Sequence, residues 1–194
     1  MEPIRLGLAM CGSFCTFARV LSVLRELPAG RFTLIPIMSE ASYTTDTRFG
    51  AAEHFRQELA QICGQEVLHT IAQVEPIGPK KLLDVLAVVP CTGNTLSKLA
   101  NGIADTPVTL AVKAHLRNER PVVLGISTND ALAGNAASIG TLLAKKHFYF
   151  LPFGQDSAFR KPRSIVADFS LLQETVESAA RGEQLQPLLL GAKT

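Results

Sequence analysis

Aromatic residues make up only 6% of this chain and tryptophan is absent, so a core drawn mainly from Leu, Val, Ile and Ala is expected. No apolar run approaches the roughly 18 residues that a membrane span needs. Met1-Glu2-Pro3-Ile4-Arg5 also lacks the long apolar core of a signal peptide. A cytoplasmic location with no membrane partner is therefore expected. Neither sign of charge dominates. The net charge is +2 and no basic block exceeds Lys80-Lys81 or Lys145-Lys146, which argues against a nucleic-acid partner. Cysteine is scarce, at Cys11, Cys15, Cys63 and Cys91. The first two are spaced CxxxC, but no second pair completes a zinc site. Buried, inert thiols are expected, except that Cys91 sits within a motif. Internal repeats, low-complexity tracts and domain linkers are missing as well.

What is present alternates. The 194 residues are 47% hydrophobic and 19% charged, enough for one α/β domain with a full core. Ile4 to Met10 reads as a buried strand, with Cys11-Gly12-Ser13 as a sharp turn and Ser13 as a helix N-cap. A helix follows over 14–27, and a second strand over 31–37. This strand–loop–helix–strand unit has the scale of a parallel crossover. Tyr43 to Gly50 reads as a hydroxyl-rich loop, 51–63 as a helix ended by Gly64, and 66–70 as a short strand. Val85 to Val89 is a central buried strand. It runs into Pro90-Cys91-Thr92-Gly93-Asn94-Thr95, where a helix begins, and a further helix spans 108–118. Pro121 to Ile126 is the next strand, followed by Ser127-Thr128-Asn129-Asp130, any of the last three able to cap a helix running to about Lys146. His147 to Leu151 reads as the last strand, closed by 152–156. Residues 157–163 read as a basic loop, 168–181 as the final helix, and 186–194 as an extended tail. The pattern predicts a single doubly wound, three-layer α/β domain over 1–194 with a mostly parallel sheet, a core of about 4–182 and a tail from 183.

In a parallel sheet the loops at the strands' carboxyl ends share one edge, where ligands bind. Here they are Gly12-Ser13, Met38-Ser39, Cys91 to Thr95, Ser127 to Asn129 with Asp130, and Phe153 to Gln155. They are rich in Ser, Thr, Asn and Gly. The four histidines (His54, His69, His115, His147) lie outside them, so hydrolytic triads and histidine metal sites find no support. The first loop lacks GxGxxG, which weakens a dinucleotide reading. Hydroxyls, amides and a helix start suit a phosphate and a flat polar ring. A mononucleotide such as FMN fits, held by Gly12, Ser13, Ser39, Thr92, Gly93, Asn94, Thr95, Ser127, Thr128 and Asn129.

The stretch from Pro90 to Asp105, with Asn94-Thr95, Lys98, Gly102 and Asp105, resembles the PxxxNTxxKxxxGxxD signature of the flavoprotein family, which includes phosphopantothenoylcysteine decarboxylase. Gly12-Ser13 and Ser39 match its FMN-binding loops. Asp46 to Gly50, Glu75 to Lys80, Asn118 to Leu132, Phe153 to Asp156 and Gln184 to Pro187 are similar to one branch, the dipicolinate synthases of spore-forming bacteria. Two features of the decarboxylases are missing. Their catalytic histidine lies shortly before the central strand, where this chain has Gly78 to Asp84. Their PxMNxxMW motif is replaced by Ser127 to Leu132.

The resemblance implies a Rossmann-like flavoprotein fold and an FMN-dependent oxidoreductase component of a two-component synthase. Its work would be to help form dipicolinate from a small cyclic dicarboxylate during sporulation, in the mother cell. It implies a partner, the A subunit of the synthase, through which NADP could enter, and a homo-oligomer, a trimer or a multiple of it. Two carboxylates call for a cation, and Arg48 is the first candidate for substrate binding and catalysis. Lys113, Arg117 and Arg120 are weaker candidates, Cys91 a further catalytic one, and His115 is expected to be structural or interfacial. The alternatives are a non-catalytic stabilising partner of the A subunit, or a flavin-dependent decarboxylase or prenyl-type transferase.

Overall fold

The computed structural model describes residues 2–191. Five parallel strands form the body of the sheet: β1 (Ile4–Met10), β2 (Phe32–Met38), β3 (Val85–Cys91), β4 (Val122–Thr128) and β5 (Phe148–Phe150). They lie in the order β2-β1-β3-β4, with β5 on the far side of β4. β3 is buried at every position, as expected for a strand covered on both faces. The connecting helices are α1 (Phe17–Arg25), α2 (Glu40–Thr44), α3 (Ala52–Cys63), α4 (Ile71–Val74), α5 (Gly93–Ala100), α6 (Pro107–Leu116) and α7 (Ala136–Leu143). The chain moves outward from β1 to β2, then returns past β1 to β3 and proceeds the other way. Right-handed crossovers therefore place α1 and the α5–α6 pair on opposite faces. Accordingly α1 packs with α3, while α5 packs with α6 and α7.

β5 is not the last strand. The chain turns back as a hairpin, β6 (Phe153–Ser157) and β7 (Lys161–Ala167), before α8 (Leu172–Ala180). The segment expected as a closing turn and basic loop thus has period-2 pairing. Gly154, Pro162 and three basic residues mask its strand character. β7 runs antiparallel to β4 at Ser127↔Val166 and Thr128↔Ile165. β5 pairs with the earlier part of β4, Val122 to Leu124. One edge of β4 is therefore shared between two partners.

Other readings shift in detail. Residues 66–70 make only an isolated parallel bridge, Ile37↔Leu68. Tyr43 and Thr44 belong to α2, whose N-cap Ser39 accepts a hydrogen bond from Ser42 N–H. The helix after β4 starts only at Ala136; the N-cap position is Asn135, so Thr128, Asn129 and Asp130 do not cap it. The tail is extended, and Phe153 N–H donates to Leu188 O while Leu190 N–H donates to Phe153 O. Its final three residues lie outside the described ones. The core is less purely aliphatic than composition suggests: Phe17, Phe150 and Phe169 are among the largest fully buried side chains. Phe17 meets Phe55 edge-on at 5.1 Å.

The amino edge of the sheet is closed by charge. Arg5 donates through Nε and Nη2 to Asp84 at 3.0 and 2.6 Å, and Arg120 Nη1 lies 3.2 Å from the same carboxylate. The Arg5 hydrogen bond holds the Asp84 carboxyl below its ordinary range. Nearby, His115 is buried and bonds through Nε2 to Pro121 O at 3.1 Å. That carbonyl requires the nitrogen to be the donor, so the ring has a structural role. Burial pushes its pKa down from 6.5 to about 4. A depressed folded value means the stability it contributes is full above pH 6.5 and is lost as pH falls toward 4. Urea unfolding is expected to show this loss, with a limiting slope of about 1.4 kcal/mol per pH unit for one proton. His115→Gln, which keeps a donor for Pro121 O, should flatten that slope; an unchanged slope would remove His115 from the account.

Candidate functional site

The reversal of strand order between β1 and β3 parts the loops on either side and leaves a crevice at the carboxyl edge, the position where open α/β sheets bind ligands. Backbone bonds keep the strand ends level. Cys11 N–H donates to Pro90 O at 3.1 Å, and Ser39 N–H to Met10 O at 3.0 Å. Ser13 precedes a 3-10 turn, Phe14–Thr16, but makes no side-chain cap. Its hydroxyl instead meets that of Ser127 at 2.7 Å. Since β3 lies between β1 and β4, this bond links the loops flanking the central strand.

The central loop supplies a helix start. Thr92 is the N-cap of α5 and accepts from Thr95 N–H at 3.3 Å. The Thr95 hydroxyl passes its own hydrogen to Cys11 Sγ at 3.3 Å. The N–H groups of Gly93 and Asn94 precede the helix's own hydrogen-bond ladder and have no acceptor within it. Asn94 is exposed, and its amide has no hydrogen-bond partner among the described residues. Donors and a positive dipole end thus face one place, as an anionic phosphate requires.

Sequence reasoning missed Asn135, which fixes this loop from the next one. Its Nδ2 donates to Gly93 O at 3.3 Å and to Ser97 Oγ at 3.1 Å, while its Oδ1 accepts from Thr128 Oγ1 at 3.2 Å. A Cβ on Gly93 would lie 1.8 Å from that Oδ1 and 2.8 Å from Thr128 Oγ1. The glycine is needed for this close approach rather than for an unusual φ. Gly12 is less constrained, its would-be Cβ lying 3.4 Å from Phe14 and 3.9 Å from Ala41.

The ionisable groups are quieter than the hydroxyls. Burial pushes the Cys11 thiol up to about 11 and the Cys91 thiol well above its ordinary value. Both stay protonated near neutrality, and Cys91 is no ready nucleophile. Arg48 lies in the Thr47–Gly50 turn, exposed, with its guanidinium 4.9 Å from the Phe49 ring. No hydrogen bond joins it to the crevice loops among the described residues. Lys113 and Arg117 belong to α6 and its C-cap, and Arg120 serves the Asp84 cluster. His69 stacks on Tyr43 at 3.7 Å. Among the described residues, no three His, Cys, Asp or Glu side chains gather as a metal site. A larger concavity of about 510 Å³ lies between α1, β2 and α3, lined by Leu24, Pro28, Leu34 and Cys63. It lies at the amino end of β2, away from the strands' carboxyl ends, so the carboxyl-edge crevice is the better candidate. The residues there fit a flavin mononucleotide: N–H groups at α5 for a phosphate, and hydroxyls and amides of the flanking loops for a polar ring.

Comparison with known proteins agrees with this geometry. The family model described as Flavoprotein matches residues 1–149. The chain is 43% identical over 186 residues to the dipicolinate synthase B subunit of Bacillus subtilis, covering 96% of this chain and 93% of that protein. Among solved structures, the dipicolinate synthase B subunit from Bacillus halodurans superposes with a TM-score of 0.89 at 42% identity, over 98% of this chain and 97% of that one. The FMN-dependent cysteine decarboxylase SpaF shares the fold, with a TM-score of 0.66 at 20% identity over 93% and 98% of the two chains.

The contact between Gly93 and Asn135 is directly testable. Gly93→Ala is expected to cost about 1–3 kcal/mol of stability through overpacking. In an Asn135→Ala background the same change should cost less, with a coupling of at least about 0.5 kcal/mol in a double-mutant cycle. Equal costs in the two backgrounds would show that Asn135 does not confine the loop.

Proposed function

Because the chain belongs to the flavoprotein family, and within it to the branch of the dipicolinate synthase B subunits, we propose that it is the FMN-binding component of a dipicolinate synthase. In this reading residues 1–194 form one flavoprotein domain that acts with the synthase's A subunit. The protein is a homo-oligomer, a trimer or a multiple of it, and works in the cytoplasm of a sporulating mother cell. Any NADP enters through the A subunit. The observation that carries the reading is the convergence of Ser13, Ser127 and the open first turn of α5 at the β1/β3 reversal.

The substrate is a cyclic hydroxy-tetrahydrodipicolinate. Loss of water and removal of a hydride and a proton give the aromatic pyridine-2,6-dicarboxylate. When bound, the flavin supplies the hydride acceptor. The residues of the chain bind and orient. Gly93 and Asn94 N–H groups take the phosphate. Thr92 and Thr95 hold the helix start in place. Ser13, Ser127, Thr128 and Asn129 border the ring, and Gly12 and Ser39 complete the first two loops. The neutral Cys11 and Cys91 thiols keep the floor apolar and are themselves no competing nucleophiles.

Purified protein is expected to take up FMN, read by its absorbance bands, and to bind it about tenfold or more tighter than riboflavin, because the phosphate meets α5. Equal affinities would remove α5 as the phosphate end. The A subunit, this chain and their mixture should then be given the precursor with and without FMN and NADP, following ultraviolet absorbance of the product. The mixture with FMN should be the active combination. Full activity from the isolated A subunit would overturn the redox role and leave a stabilising partner in its place.

A further inference from the structure

Beside the crevice, on the hairpin side of the Ser13–Ser127 bond, a second concavity of about 210 Å³ opens. That is below the ~300–1,000 Å³ of usual ligand pockets, so it suits a molecule smaller than a flavin. Its walls come from distant parts of the chain: Cys15 from the 3-10 turn and Arg19 from α1, Asp156 and Lys161 from the β6–β7 hairpin, with Ser127 and Asn129 between them. Only the sharing of β4's edge brings the hairpin to this place.

The chemistry of the lining is that of an anion site. The Arg19 guanidinium lies 5.4 Å from the Phe169 ring centroid and has no hydrogen-bond acceptor among the described residues. A cation–π contact uses none of the guanidinium's N–H groups, which are left for an acceptor. Lys161 pairs with Asp156 at 2.6 Å. The Asn129 carbonyl accepts from the buried Ser164 hydroxyl at 3.3 Å, which leaves its amide N–H groups as donors. The two cations against one carboxylate give the chamber one excess positive charge.

We propose that this chamber binds a carboxylate of the small acid on which the flavin acts, with Arg19 and Lys161 as the cations that hold it. The inference rests on the flavin reading above, because it places the acid next to the ring, across the Ser13–Ser127 bond. It also replaces Arg48, which does not line the chamber, as the carboxylate's partner. Arg19 supplies the two-pronged contact that a carboxylate favours, and Lys161 and the Asn129 amide close on the other side. The acid enters as an anion, and no covalent step is involved in its binding.

Cys15 gives a readout that needs no activity. It is exposed and lines the chamber, whereas Cys11 and Cys91 are buried and Cys63 lines the distant concavity. Alkylation of Cys15 by iodoacetamide, followed by mass spectrometry of its peptide, should be slowed by pyridine-2,6-dicarboxylate and by pyridine-2-carboxylate, but not by uncharged pyridine. The concentration for half-protection should rise about tenfold in Arg19→Ala and in Lys161→Ala, as expected for losing a charge-assisted hydrogen bond. It should rise less in Arg19→Lys and stay unchanged in Arg48→Ala. Thermal melting of each variant checks folding, and the two alanine variants stand in for one another should either fail to fold. Absence of protection in the wild type, equal protection in both alanine variants, or an equal effect of Arg48→Ala overturns the proposal. FMN uptake is measured on the same samples. Protein that binds FMN but is not protected defeats the chamber alone. Protein that is protected but takes up no FMN defeats the flavin reading and leaves an acid-binding chamber.

Discussion

The direction reversal between β1 and β3 is the constraint on which the rest depends. Right-handed crossovers cannot place consecutive helices on one face once the chain changes direction across the sheet. The loops after β1 and β3 therefore diverge, and the gap between them is set by topology before any side chain is chosen. Residues at the strand ends need only furnish it. Short side chains suffice because the backbone already brings them close: Cys11 N–H reaches Pro90 O, and Ser13 reaches Ser127 across the end of the central strand.

A second consequence of the sheet is less usual. β4 gives its amino half to β5 and its carboxyl half to β7. A sheet built wholly of parallel crossovers would have sent the chain back to its amino edge at this point. The antiparallel hairpin instead returns to the carboxyl edge, so late residues line the same rim as Ser13 and Arg19. The outer side of β6 is covered in turn by the tail at Leu188 to Leu190, which protects an otherwise open edge.

Much of this is legible in the sequence where the local pattern and the tertiary environment agree. β1 is legible to its observed ends because its apolar residues, interrupted only by Arg5 and Gly7, are bounded by Glu2-Pro3 and a Gly turn. α3 is legible from its periodicity and the Gly64 stop, which adopts φ 68°. Thr92 is recognisable as the residue that opens α5, whereas Thr95 lies buried in that helix's first turn, its hydroxyl bonded to Thr92 and Cys11. The hairpin is not legible, because a two-residue alternation interrupted by Gly154, Pro162 and a run of cations looks like a loop until its partner is known. Ser13 reads as a cap, since nothing local says that Ser127 lies within reach. Asn135 is invisible for the same reason: its three bonds go to residues 7, 38 and 42 positions away. Arg48 stands out in the sequence for its charge, and in the structure it lies exposed in the Thr47–Gly50 turn.

The Arg5–Asp84–Arg120 cluster at the opposite edge bears on how such a protein can change. Its multidentate ion contacts fasten the amino ends of β1 and β3 to the segment entering β4. The candidate ligand edge, by contrast, is joined by uncharged hydroxyl, amide and backbone bonds. Charged fastening and the candidate ligand loops thus lie at opposite rims of one sheet. A lineage can exchange loops at the working rim, trading one cofactor-assisted reaction for another, without loosening the seam that aligns the strands. That division lets a shared scaffold acquire different chemistries by local replacement.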